Sequence, residues 1–236
     1  MKKTVISPPN LELFFARLNE KFGQFLVLRG YDHLPNGYIN DIDIYVPRVD
    51  FARFFDCVNN LEGLDSKLVI LVSRFGLAKC DLLLNGVIIP FDIMYGFYYV
   101  GLEYQDCKQL SSNSKKHSCG LFFTPGISDE VRISLLKELL HNGRVRSDKA
   151  LYLLENMDKC AGTLPTSYFD SDTIGNVRAA IISKDYYVPK ISRALKTRVL
   201  GHNLRKHWVK TIKNIIMFAI VKYVLKNEYH KKIARL

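Results

Sequence analysis

Paired cysteines, phosphate-binding glycine loops and membrane-length apolar runs are all missing from this 236-residue chain, and each absence removes a class of function. The five cysteines, Cys57, Cys80, Cys107, Cys119 and Cys160, are odd in number and form no Cys-x-x-Cys pair. Neither a disulfide framework nor a zinc knuckle is indicated. The six histidines are dispersed, without zinc-ligand spacing to a cysteine. There is no Gly-x-x-x-x-Gly-Lys loop, no Gly-x-Ser-x-Gly elbow and no internal repeat. Ser7-Pro8-Pro9-Asn10 follows Met1-Lys2-Lys3 where a signal peptide would need an apolar stretch. The expectation is a protein of the reducing cytoplasm. Acids are also nearly missing from residues 183–236, where Asp185 and Glu228 face fourteen Lys or Arg, a net of +12. With +11 for the whole chain, residues 1–182 carry −1, so the basic character belongs to the tail.

What is present suffices for a core, since 48% of residues are hydrophobic. The informative stretch is Asn40-Asp41-Ile42-Asp43-Ile44-Tyr45-Val46, where apolar and polar residues alternate with the period of a strand. Asp41 and Asp43 then share one face, about 6.5 to 7 Å apart, while the isoleucines turn to the core. Two half-buried carboxylates need compensation. A divalent cation such as magnesium, which takes one or two carboxylates plus substrate phosphates, would supply it. An edge strand with merely solvated acids is the alternative reading.

Upstream, Gln24–Arg29 reads as a short strand stopped by Gly30, and the segment 31–40 is rich in turn formers. A glycine directly after a strand permits close approach of a phosphate to backbone N–H groups. Downstream, Cys80–Leu84 and Val87–Ile89 flank Asn85-Gly86, a strong hairpin signal. A third acid, Asp92, rides on the second arm, where it can pair beside the Asp41 strand. Asp81, on the first arm, is the rival and ranks below it.

In these features the chain resembles the nucleotidyltransferase superfamily, whose fold is shared with polymerase beta and the aminoglycoside nucleotidyltransferases. The matching positions are Gly30, then Asp41 and Asp43, then Asp92, within residues 20–95. The run Leu28–Pro35 is further similar to nucleotidyltransferase-like proteins of bacterial surface-polysaccharide gene clusters, a similarity that continues to Leu136-Lys137. The resemblance implies two Mg2+ ions held by Asp41, Asp43 and Asp92, which are also the catalytic acids. It implies a triphosphate cradle of Arg29, Gly30 and Tyr31 with help from Lys137. Arg132 is a second basic candidate on the same helix, and a solvated face is the other reading for both. Tyr31 stands where the family has a second Gly or Ser. The implied activity is transfer of a nucleoside monophosphate from a nucleoside triphosphate to a small, sugar-linked acceptor of unknown identity. A catalytically idle scaffold on the same fold is the alternative.

The expected fold class is therefore α/β (α+β), a nucleotidyltransferase-like mixed sheet with helices followed by a helical C-terminal region. Leu11, Phe14, Phe15, Leu18 and Phe22 predict a first helix with Asn10 as its N-cap. Phe51, Phe54, Phe55 and Val58 predict a second, and Leu68–Val72 a buried strand. Residues 96–126 show no sustained period and are expected to be irregular. Helices are expected over about 128–140, 147–159 and 172–183. The expected division is a nucleotidyltransferase-like domain over 1–126, a helical region over 127–200 and a basic amphipathic helix over 201–236.

Within that tail, Trp208–Lys226 is too often charged to span a bilayer. An amphipathic helix over about 203–232, lying on the inner face of an anionic membrane with Trp208, Ile212, Ile216 and Phe218 immersed, is one expectation. Packing of the same face on the chain's own helices is the other. Nucleic acid ranks below both, because no nucleic-acid motif accompanies the charge.

Overall fold

The computed structural model describes residues 5–160, 168–169 and 171–224. Along the chain run α1 (Leu11–Lys21), β1 (Leu26–Arg29), β2 (Ile42–Tyr45), α2 (Phe51–Asn59), β3 (Ser66–Arg74), β4 (Leu77–Leu84) and β5 (Val87–Met94). Next come β6 (Phe97–Tyr99), β7 (Leu102–Gln105), α3 (Cys107–Ser112), β8 (Lys115–Lys116) and β9 (Phe123–Thr124). Helices α4 (Ile127–Lys137), α5 (Ser147–Cys160), α6 (Ser171–Ile182) and the long α7 (Pro189–Ala219) follow. Two compact units result. Among the described residues, one holds those up to Phe97, Cys107–Pro125 and those from Ala219 on; the other holds Tyr98–Asp106 and Gly126–Phe218.

The first unit is built on a seven-stranded mixed sheet in the order β3-β4-β5-β2-β1-β9-β8, with β2 at its middle. Strand β2 runs antiparallel to β1 and parallel to β5, whereas β4 is antiparallel to both β5 and β3. Ile42 and Ile44 join Val27, Phe91 and Ile93 on the face covered by Phe14, Phe15 and Phe54 of the two helices. Edge-to-face ring pairs, Phe14 with Phe91 and Phe22 with Phe54, close this layer. Residues between the isoleucines necessarily turn to the opposite face. The Asn85-Gly86 turn forms as expected, with positive φ at both residues, and fixes the β4–β5 register.

Asn10 does precede α1, but its side chain makes no capping hydrogen bond. Its use is conformational, because it adopts a left-handed φ of 65° that Asn tolerates better than most residues. Residues 96–126 are not irregular: they supply β6, β7, α3, β8 and β9. Strands of two to four residues are too short to show a period in the sequence.

In the second unit β6 and β7 form a two-stranded hairpin. Its turn, Val100-Gly101, has positive φ at both positions, 51° and 80°. Gly101 meets α7 so closely that a Cβ there would lie 2.6 Å from the Asn214 carbonyl oxygen. Helix α4 buries Val131, Leu135 and Leu136 and continues through a wide turn at Glu138–Asn142 to Gly143, which closes it at φ 64°. Arg132 is buried rather than solvated. It pairs with Asp129 and donates to Gln105 Oε1 at 2.7 Å. Helix α7 opens on Pro189, suited to a first turn, and kinks at His207. The amphipathic segment expected from 203 is thus the later part of a helix begun at Pro189, and its expected residues 225–232 lie outside the described residues. Among the described residues no helix is long and apolar enough to cross a membrane.

Candidate metal centre

The parallel pairing of β2 with β5 sets Asp43 directly opposite Asp92. Strand β1 shifts register between Val27 and Arg29, which brings Arg29 opposite Asp43 on the other side. Strand β4 sets Lys79 opposite Asp92. Arg29, Asp43, Asp92 and Lys79 therefore form one row across four adjacent strands, with cations outside and acids inside. Asp41 stands just before β2, after the left-handed turn of Asn40 at φ 71°.

Carboxylate oxygens of Asp41, Asp43 and Asp92 all lie within 4.8 Å of one another. Asp43 and Asp92 are only 1% and 8% exposed, and Asp41 is half-buried. The Arg29 guanidinium grips Asp43 through two nitrogens, Nε to one oxygen and Nη2 to the other at 3.1 Å. Lys79 Nζ reaches Asp92 Oδ2 at 3.3 Å. Asp41 has no such ion-pair partner among the described residues. Burial, the largest influence on Arg29, pulls its pKa down, but the carboxylates of Asp43, Asp41 and Asp92 together hold it above the usual value.

Three carboxylates against two cations leave the cluster one charge short of balance. A metal ion would restore the balance, and the oxygen spacing can be tested against that. Two oxygens on one ion can be no farther apart than twice the ligand distance, about 4.2 Å for magnesium and about 5 Å for calcium. Separations of up to 4.8 Å lie within the span for calcium and exceed that for magnesium, which would need the carboxylates drawn closer together. The residues fit a hard divalent cation: the donors are oxygens, and the cluster includes neither Cys nor His.

Gly30 follows β1 with φ 68°, and a Cβ on it would meet nothing within 4 Å. Space beside the cluster is thus open at the expected glycine. Tyr31 packs against the hydrophobic core of the sheet, its ring edge-on to His117 at 5.7 Å. Asp81 pairs across to Val69 and Pro90 and is not part of the cluster. Lys137 closes α4 in the second unit. Cys80, on the neighbouring core face, is buried, and that burial, with added repulsion from Asp92 and Asp81, pushes its thiol up to about 12. An open groove of about 370 Å³ in the second unit, walled by Leu102, Leu200 and Ile215, includes no carboxylate and is not a place for this chemistry.

Lys79 is the one member of the row that the sequence reading did not single out. The signal was there, since counting outward from the Asn85-Gly86 turn, residue for residue, places Lys79 opposite Asp92. The chain matches no protein-family model, no curated protein and no solved structure. Its functional reading rests on this geometry and on the resemblance of its motifs.

Proposed function

We propose that this protein is a metal-dependent nucleotidyltransferase, moving a nucleoside monophosphate from a nucleoside triphosphate to a hydroxyl or phosphate of a small acceptor. The observation that carries the reading is the three-aspartate cluster, with Asp43 and Asp92 opposed on the central parallel strands and Asp41 at their end. Asp41, Asp43 and Asp92 would hold magnesium. Bound there, magnesium supplies charge stabilisation of the attacking and leaving oxygens. Arg29 fixes the rotamer of Asp43 by its two-pronged grip and adds positive charge beside Gly30, where the open backbone admits phosphate. One of the acids would take the proton of the incoming acceptor, and the greater accessibility of Asp41 favours it for that role. A sugar-linked acceptor in surface-polysaccharide synthesis follows from the motif resemblance alone. Lys137 is assigned no role in the site.

The experiment is calorimetric titration of the full chain with each triphosphate in magnesium, followed by a screen of the bound triphosphate against sugar phosphates. Binding that requires magnesium and vanishes in Asp43→Asn supports the assignment; activity surviving in both Asp41→Asn and Asp43→Asn ends it. The row itself favours a second reading. Arg29 and Lys79 already compensate two of the acids, and Tyr31 replaces the small residue of the family pattern. On that reading the domain is an idle scaffold that binds without turnover. Triphosphate binding that appears only in Tyr31→Ser would favour it.

A further inference from the structure

Large apolar side chains run along the later part of α7 in the open. Trp208 is 64% exposed and Ile216 53%, with Val209 and Ile212 also exposed between them. Residues 208, 212 and 216 are spaced by four, so they fall on one side of the helix with a small drift. The other side is already occupied. Thr211 is buried and donates its hydroxyl to the His207 carbonyl at 2.8 Å, and the Asn214 backbone sits against Gly101 of the hairpin. The exposed stripe is therefore not the face by which this helix joins its own unit.

What flanks the stripe decides its partner. Helix α7 holds eight Lys or Arg and no acid; Lys210 and Lys213 share the segment after the kink at His207 with the stripe, and Arg205 and Lys206 stand just before it. Lys210 and Lys206 are drawn toward Glu103 and Asp106, at 2.8 and 4.0 Å. Arg205 and Lys213 are exposed and have no carboxylate in reach among the described residues. We propose that the segment of α7 after the kink at His207 lies flat on an anionic lipid surface, its apolar stripe in the boundary between headgroups and acyl chains and its neighbouring cations among the lipid phosphates. A helix of this composition suits that interface. Nucleic acid would need cations at the centre of the face, where Trp208, Ile212 and Ile216 stand. A second copy of α7 would bring cations against cations. The proposal is independent of the metal centre.

Trp208 is the only tryptophan of the chain, so its fluorescence reads this face alone. The full chain is mixed with vesicles of phosphatidylcholine, or of phosphatidylcholine with phosphatidylglycerol, and emission and sedimentation are followed. The expected result is a blue shift and co-sedimentation with the anionic vesicles only, both reversed by salt as screening shortens the attraction to a few Å. Ile216→Ser, at an exposed position, should weaken binding about tenfold, as expected for losing one large immersed side chain. Lys213→Glu should weaken it as well. Sedimentation without a shift of Trp208 emission would overturn the proposal, as would equal binding to neutral vesicles. A blue shift produced by raising protein concentration, or by single-stranded RNA, in the absence of lipid would also overturn it. If either variant loses its helical circular dichroism, the salt dependence of the unmodified chain remains decisive.

Discussion

Asp43 is buried on the central strand with the Arg29 guanidinium on one side and Asp92 on the other, so deleting it and neutralising its neighbours have opposite effects. Asp43→Ala strands the half-buried charge of Arg29, and breaking such a pair costs about 3 kcal/mol, near the low end for buried pairs because Arg29 keeps some solvent and two other acids. Urea denaturation should show it. Asp41→Asn removes one of three mutually repelling carboxylates, and in EDTA it should raise the melting midpoint by about 1–3 °C. The same substitution should abolish the response of the midpoint to magnesium. His141 in the second unit carries a pH signature. Its ring lies edge-on to Tyr99 and Tyr104 while the residue stays exposed. Desolvation by that packing first, then Lys137 and Lys196, lower its pKa, against smaller opposing effects of the Tyr98 backbone and Glu138, and solvent screening keeps the effect on stability small. A depressed folded pKa means that the unfolded chain takes the proton first, so stability is present above about pH 6.5 and falls below it. The melting midpoint should drop slightly between pH 7.5 and 5.5, and less so in His141→Gln.

Elements with a strong local code could be read from the sequence. The stripe Leu11, Phe14, Phe15 and Leu18 gave α1, and Asn85-Gly86 gave the β4–β5 hairpin with Asp92 on its second arm. The β6–β7 hairpin could not be read, because Val100 is a β-branched residue held at φ 51°, a position that carries no turn signature. The partners of the acids were hidden for another reason. Arg29 opposes Asp43 only through a register shift in β1, and Asp43 meets Asp92 through a parallel pairing of distant segments. The two hairpin turns differ in a testable way. Gly86→Ala meets open space and should cost about 1 kcal/mol of backbone strain. Gly101→Ala carries the same strain and also drives a methyl into the Asn214 backbone, adding about 1–3 kcal/mol of overpacking. Chemical denaturation of both variants should show the second as clearly the weaker.

For the whole molecule, the separation of charge along the chain sets what each part can attract. Residues 1–182 are nearly neutral at −1, and three of their acids, Asp41, Asp43 and Asp92, meet just before and on β2 and on β5. A divalent cation binding only the folded state should stabilise it by about 1.4 kcal/mol at ten times its dissociation constant. Thermal unfolding in magnesium against EDTA measures this, and Asp92→Asn should flatten the difference. The row of Arg29, Asp43, Asp92 and Lys79 has one more consequence, which is a matter of parity. Each member keeps its place only because the count of residues along its strand is even or odd as required, since neighbours on a strand face opposite ways. Deleting one residue from Ile42–Tyr45 would turn an acid toward Phe14 and Phe54 and an isoleucine toward Lys79, whatever the identities of the rest. One residue added at Gly63, exposed and with nothing near a Cβ, shifts no strand against its neighbour. A scan of single insertions and deletions should therefore find the centre of the sheet intolerant of any change in length, even where point substitutions are accepted.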